Sequence, residues 1–196
     1  HKQALYTLLL ALLGIALGAF SKFLDTTPSN TLPFLLNYLD IRNFLGRFAF
    51  WVVIALCIAV YSSSPLRGAV NVLVFLAGMV GSYYLYSKFI AGFFPRSYAL
   101  VWVSFTAASP LLAVLCWYAK GKGIAAVFLS SLILGCLLAQ AVNLGRGGVY
   151  VYHFLEVLTW LAGVILLRRK PKEYAMELGL SIAVAFVYQL VIPHWG

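Results

Sequence analysis

Residues 8–20, "LLLALLGIALGAF", decide how this chain is read, because they form a long apolar run with no charge and no alternation of apolar and polar positions. A bilayer core of about 30 Å needs about 20 mostly apolar residues per helical span, and here the apolar character lasts from position 4 to position 23. Membrane-spanning strands instead alternate over about ten residues, which neither this run nor "WVVIALCIAV" at 51–60 does. The first run is also too long for the apolar region of a signal peptide, about 7 to 15 residues, and shows no AxA-type site. The chain starts at His1 and not at Met, which suggests a trimmed or tagged sequence.

Composition carries the same message. Of 196 residues, 63% are hydrophobic and 10% charged, and the mean hydropathy is +0.96; soluble domains carry roughly 25% charged residues. The expected fold is an all-α polytopic membrane protein, one transmembrane helical domain over residues 1–196, with about seven spans. These are placed at 4–23, 45–62, 68–87, 98–119, 124–144, 149–167 and 174–192. The count falls to six if one of these runs does not cross.

The net charge of +9 does not mark a nucleic-acid surface, because the basic residues lie at span ends. They read as topology signals and lipid-headgroup contacts. Lys2, Arg67, Lys120, Lys122 and the compact "RRKPK" at 168–172 fall on one side; Lys22, Arg42, Arg47, Lys88, Arg96 and Arg146 fall on the other. This places the N-terminus in the cytoplasm, in a membrane expected to be the bacterial inner membrane. Cys57, Cys116 and Cys136 each stand alone within a span and read as packing residues.

Gly14 and Gly18 form a GxxxG step that lets another helix approach closely. That helix belongs either to this chain or to a partner membrane subunit docking there. The loop after the first span holds Pro28 and Pro33, which break a helix, followed by apolar residues too numerous for free solution. Residues 33–44 therefore read as a short helix or re-entrant segment in the interface, with Asp25, Asn37 and Asp40 among its polar groups. It serves either as a lid over an outward-facing cavity or as an amphipathic surface helix. Tyr83 and Tyr84 belong to an aromatic cluster at the outer end of the third span, read as an interfacial belt or as rings lining a ligand site. Pro110 near the middle of the fourth span leaves the carbonyl near Thr106 without its helical partner. "GRGG" at 145–148 lacks the flanking pattern of a phosphate-binding loop.

A carboxylate inside a span is costly and a functional candidate by default. Glu156 lies about eight residues into the predicted sixth span, with His153 one turn nearer the outer surface and Tyr152 and Trp160 four residues to either side. If 149–167 is one helix, these four share a stripe. Four roles compete. In the first, Glu156 stays protonated, or pairs with His153 or an arginine, and fixes packing, Arg146 being the best-placed counter-charge. Alternatively, it binds the polar or cationic group of a solute covered by the aromatics. A third role is proton exchange with His153 in coupling or acid/base catalysis. Metal binding is the fourth, although HxxE supplies two ligands at most. Asn71, Gln140, Asn143, Gln189 and His194 are further polar groups that could join this site. No nucleophile with a base, no HExxH and no carboxylate pair is present, and no cofactor or metal is implied.

Several short pieces resemble an uncharacterised family of small bacterial polytopic membrane proteins: the loop with Asn37, "SSSPLRGA" at 62–69, "GSYYLYS" at 81–87 and the proline-bearing fourth span. That resemblance implies a membrane protein without a known activity. In organisation, Gly14, Gly18 and residues 24–44 are similar to the docking ladder and lid loop of S components of energy-coupling-factor transporters. This implies a solute-binding or transport-associated module with an outward-facing aromatic and polar cavity. The alternatives are an intramembrane enzyme acting on a lipid and a non-catalytic subunit of a larger membrane complex. Expected partners are the bilayer, a small solute or lipid, and a membrane protein, with no nucleic acid.

Overall fold

Apolar runs in lipid must satisfy their backbone hydrogen bonds internally, which a helix does within one segment. The computed structural model, which describes residues 2–145 and 147–192, is built in this way. Its elements are α1 (Lys2–Thr26), a 3-10 turn (Ser29–Thr31), α2 (Phe34–Tyr38), α3 (Ile41–Gly46), α4 (Phe48–Tyr61), α5 (Pro65–Phe89), α6 (Arg96–Ala119) and α7 (Ile124–Ala141), then β1 (Val142–Asn143), β2 (Tyr150–Val151), α8 (Phe154–Leu166) and α9 (Pro171–Val191).

Burial is inverted relative to a soluble protein. Leu8, Leu9, Leu12, Leu111, Ile165 and Val191 are exposed, while Ser21, Asn71, Ser87, Ser130, Ser131, Ser181, Glu156 and Glu177 are buried. Large apolar side chains face outward where lipid solvates them, and small or hydrogen-bonding residues fill the helix interfaces. The chain thus has the pattern of a membrane-integral helical protein.

Among the described residues five helices, α1, α5, α6, α7 and α9, are long and apolar enough to cross a membrane. The second and sixth predicted spans are shorter than expected. Helix α4 has 14 residues and α8 has 13, about 20 Å each at 1.5 Å per residue. Arg47 separates α3 from α4. Between the fifth and sixth runs, the described residues 142–145 and 147–152 leave the helical path: Val142 pairs with Val151 and Asn143 with Tyr150 in an antiparallel hairpin. Gly147 and Gly148 turn this hairpin at positive φ, 106° and 99°, a region glycine enters without steric cost. The aromatic Tyr150 and β-branched Val151 suit the extended strand. Apolar content alone did not separate this strand from helix.

The described chain divides into two compact units, residues 1–46 with 61–114, and residues 47–60 with 115–196. In the first, α1 packs along α5 in parallel. The Thr7 hydroxyl donates to Asn71 Oδ1 at 2.7 Å, a Cβ added to Gly14 would strike the Phe75 carbonyl, one added to Gly18 would strike the Met79 carbonyl, and the Tyr83 hydroxyl meets Asp25. The close approach permitted by the GxxxG step is thus made within the chain. In the second unit α7 and α9 are also parallel: Ser131 donates to the Glu177 carbonyl at 3.2 Å, Gly135 abuts Val184 and the Ser181 carbonyl, and Gln140 donates to the Tyr188 hydroxyl at 3.0 Å. Leu56 of α4, Leu134 and Leu137 of α7, and Leu167 form this unit's apolar core.

Two sequence features find local solutions. The first loop forms α2 and α3, joined through Asp40 at φ 52°, whose carboxylate accepts from Asn43 at 2.8 Å. Phe34 and Tyr38 stack on each other and stand exposed, as an interfacial segment would hold them. Pro110 stays inside α6, and the Thr106 carbonyl that it strands accepts the Ser109 hydroxyl at 2.7 Å.

Replacing Gly18 by Leu should lower the thermal unfolding midpoint in detergent, by about 1–3 kcal/mol of stability or more, because the added side chain meets the Met79 backbone and the Ser82 hydroxyl. Gly81→Ala, where nothing lies within 4 Å of an added Cβ, should leave the midpoint unchanged.

Candidate functional site

The predicted stripe of Tyr152, His153, Glu156 and Trp160 is not a single helical face. Tyr152 follows β2, and His153 is the extended residue capping α8, at φ −146° and ψ 136°. Only Glu156 and Trp160 share the helix, one turn apart. Glu156 sits in the first turn of α8 and not eight residues deep, because the hairpin takes up the residues assumed to be helical.

Glu156 is 1% exposed, and its Oε1 is ion-paired with the Nε of Arg47. Arg146, the counter-charge expected from sequence, lies outside the described residues, as does His194. Arg47 directly precedes α4, so the pair joins the starts of the two short helices. The positive end of the α8 dipole adds to the guanidinium in favouring a carboxylate there. Sequence reasoning placed Arg47 on the same predicted side as Arg146 but had no means of choosing it. The available signal was the break Gly46–Arg47 between two apolar stretches. The second carboxylate oxygen of Glu156 and the indole Nε1 of Trp160 are both buried without a hydrogen-bond partner among the described residues. One acceptor and one donor on one helical face are what a bridging polar group would satisfy.

A second buried pair, missed in the sequence, joins Arg169 to Glu177 of α9. Arg169 also donates to the Gly121 carbonyl at 3.1 Å, to Ser130 Oγ at 2.9 Å and to the Ala119 carbonyl. One residue of "RRKPK" is thereby consumed in closing the end of α6 and the turn after it.

Around the hairpin, polar side chains enclose a pocket of ≈ 390 Å³ lined by Ala139, Asn143, Gly145, Tyr152, Tyr188, Gln189, Leu190 and Ile192. Gln189 donates to the Ala139 carbonyl at 2.9 Å and the Val142 carbonyl at 2.7 Å, and accepts from the Leu144 N–H at 2.8 Å. It thereby satisfies the backbone where α7 ends. Asn143 donates to the Gly148 carbonyl at 2.6 Å and accepts the Tyr152 hydroxyl at 2.9 Å. The amides are therefore braces, and the phenol groups with the aliphatic side chains supply the contact surface. Of the expected site residues, Asn143 and Tyr152 come together here.

Asp25, Tyr83 and Tyr84 belong to the other unit. Lys22 Nζ stands 5.0 Å from the centroid of the Tyr83 ring, and Tyr84 is buried edge-to-face on Phe94 at 5.7 Å. In this cluster Asp25 accepts the Tyr83 hydroxyl while Lys22 lies over the ring of the same residue. Among the described residues no group of three His, Cys, Asp or Glu side chains could hold a metal ion. No protein family, curated protein or solved structure matches this chain.

Removing one member of a buried ion pair costs about 3–5 kcal/mol, whereas replacing both with apolar residues is often neutral. Glu156→Ala should therefore lower the unfolding midpoint in detergent strongly, and the double variant Arg47→Met with Glu156→Leu should recover most of the loss. A double variant as unstable as the single one would deny the pair its structural role.

Proposed function

We propose that this chain is a solute-binding, transport-associated membrane module whose binding site is the pocket at Asn143, Tyr152, Tyr188 and Gln189. The observation that carries this reading is non-helical backbone, the 142–153 hairpin, placed between two apolar helices and lining a cavity. Irregular backbone at membrane depth is tolerated where protein buries it or a cavity solvates it, and interrupted helices mark substrate sites in many transporters. The volume of ≈ 390 Å³ falls within the range of about 300–1,000 Å³ usual for small-molecule sites. With its amides spent on backbone and on the Tyr152 hydroxyl and no charged side chain among its described lining residues, the pocket suits an uncharged, partly apolar organic solute held against the Tyr152 and Tyr188 rings.

The parallel pairs support seven crossings. Because α1 and α5 run the same way, the chain between them must return to the end where α1 began. Helix α4 is the apolar segment available for that passage, and α8 plays the same part between α7 and α9. With the basic turns at 120–122 and 168–172 held in the cytoplasm, the N-terminus is cytoplasmic and the hairpin pocket opens outward.

Two measurements test these readings. On a background without Cys57, Cys116 and Cys136, single cysteines at Lys2 and Lys122 should label with an impermeant maleimide from one side of the membrane, and one at Phe93 from the opposite side. Native mass spectrometry of the gently purified protein should show a retained small molecule, lost in Tyr188→Ala and Tyr152→Ala but kept in Glu156→Gln. Retention that survives both tyrosine variants would place the solute elsewhere.

A further inference from the structure

The N-terminal ends of the parallel helices α1 and α5 enclose a second pocket of ≈ 240 Å³, lined by Lys2, Gln3, Tyr6, Tyr61, Ser62, Ser63, Arg67 and Asn71. Its wall is preset. Asn71, 1% exposed, donates to Ser62 Oγ at 3.0 Å and accepts from Thr7, while Gln3 donates to Ser63 Oγ at 3.4 Å. Two cations line this pocket, and among the described residues neither forms an ion pair. Among the described residues, the Nε of Arg67 is buried with no hydrogen-bond partner. The chain has five acidic residues; the two in this unit are Asp25 and Asp40. Asp25 is bound to Tyr83 near the far end of α1, and Asp40 accepts from Asn43. Lys2 and Asp25 are 23 positions apart on that helix, about 35 Å at 1.5 Å per residue, so Asp25 cannot neutralise the pocket. Two helix N-termini add positive potential to the two side-chain charges.

From this geometry we infer that the pocket binds a phosphate-bearing anion through Lys2 and Arg67, with serine and tyrosine hydroxyl groups around it. The anion is either the headgroup of an anionic phospholipid or a free phosphate. Arg67 supplies a planar fork suited to phosphate oxygens and Lys2 a point charge. The inference is independent of the hairpin pocket, which lies in the other unit.

The test uses the full chain in nanodiscs of phosphatidylcholine with a minor fraction of phosphatidylglycerol, read by native mass spectrometry. In parallel, inorganic phosphate is titrated against the protein in neutral detergent, read by the unfolding midpoint. The parent protein should retain phosphatidylglycerol in preference to phosphatidylcholine, or be stabilised by phosphate, according to the source of the anion. Losing both cations in Lys2→Gln with Arg67→Gln should reduce retention or apparent affinity roughly tenfold or more. Lys2→Gln alone, at an exposed terminal turn, should give a partial loss with the unliganded midpoint unchanged. Lys88→Gln, which removes an exposed cation near the far end of α5, should change neither readout. Retention and phosphate response that match between the parent and both pocket variants, or that are absent from the parent, would overturn the site.

Discussion

Close parallel packing of two long helices is the constraint on which the remainder of each unit depends. Gly14 and Gly18 bring the backbone of α1 onto that of α5, and Gly135 does the same between α7 and α9. A side chain at any of these positions would meet neighbouring backbone or a β-branched valine. Parallel neighbours cannot be joined by a tight turn, so the chain must travel back along their length before the second helix begins. What lies between them is therefore connecting chain: short helices, an arginine break and a hairpin. The irregular backbone and the unusual polar side chains occur there.

Each irregular stretch brings polar groups that lipid cannot satisfy, and the structure answers each with a specific side chain. Arg47 and Glu156 hold the starts of α4 and α8 together. Arg169, paired with Glu177, also takes up carbonyls released where α6 ends. Gln189 takes those at the end of α7, and Ser109 takes the one that Pro110 displaces. An isolated charge in such surroundings is expensive. These partners are thus conditions for the helices to end where they do.

The same economy separates structural from functional polarity. Glu156, conspicuous in the sequence, is largely explained by its arginine, with one carboxylate oxygen left over. Gln189 is committed to backbone, and Asn143 to the Gly148 carbonyl and the Tyr152 hydroxyl. The hydroxyl of Tyr188 accepts from Gln140 and keeps its own proton to donate. The proposed solute site is accordingly defined more by phenol rings and shape than by charge, whereas the pocket at the N-terminal ends of α1 and α5 is lined by two cations with no ion-pair partner among the described residues.

Sequence by itself determined the class of this protein and the position of its long helices. Uninterrupted apolar runs admit few alternatives in a medium without water, and α1, α5, α6, α7 and α9 fall within a few residues of the predicted spans. It also singled out Asn143, Tyr152 and Glu156 as unusual and Gly14 and Gly18 as points of close approach. Tertiary structure alone decided the start of α8, since "VYVYHF" at 149–154 is equally apolar as strand or helix and only pairing with Val142 and Asn143 selects the strand. It alone decided that Glu156 pairs with Arg47, 109 positions away. Hydrophobic periodicity is a local property, whereas the partner of a buried charge is whichever opposite charge the fold delivers within reach.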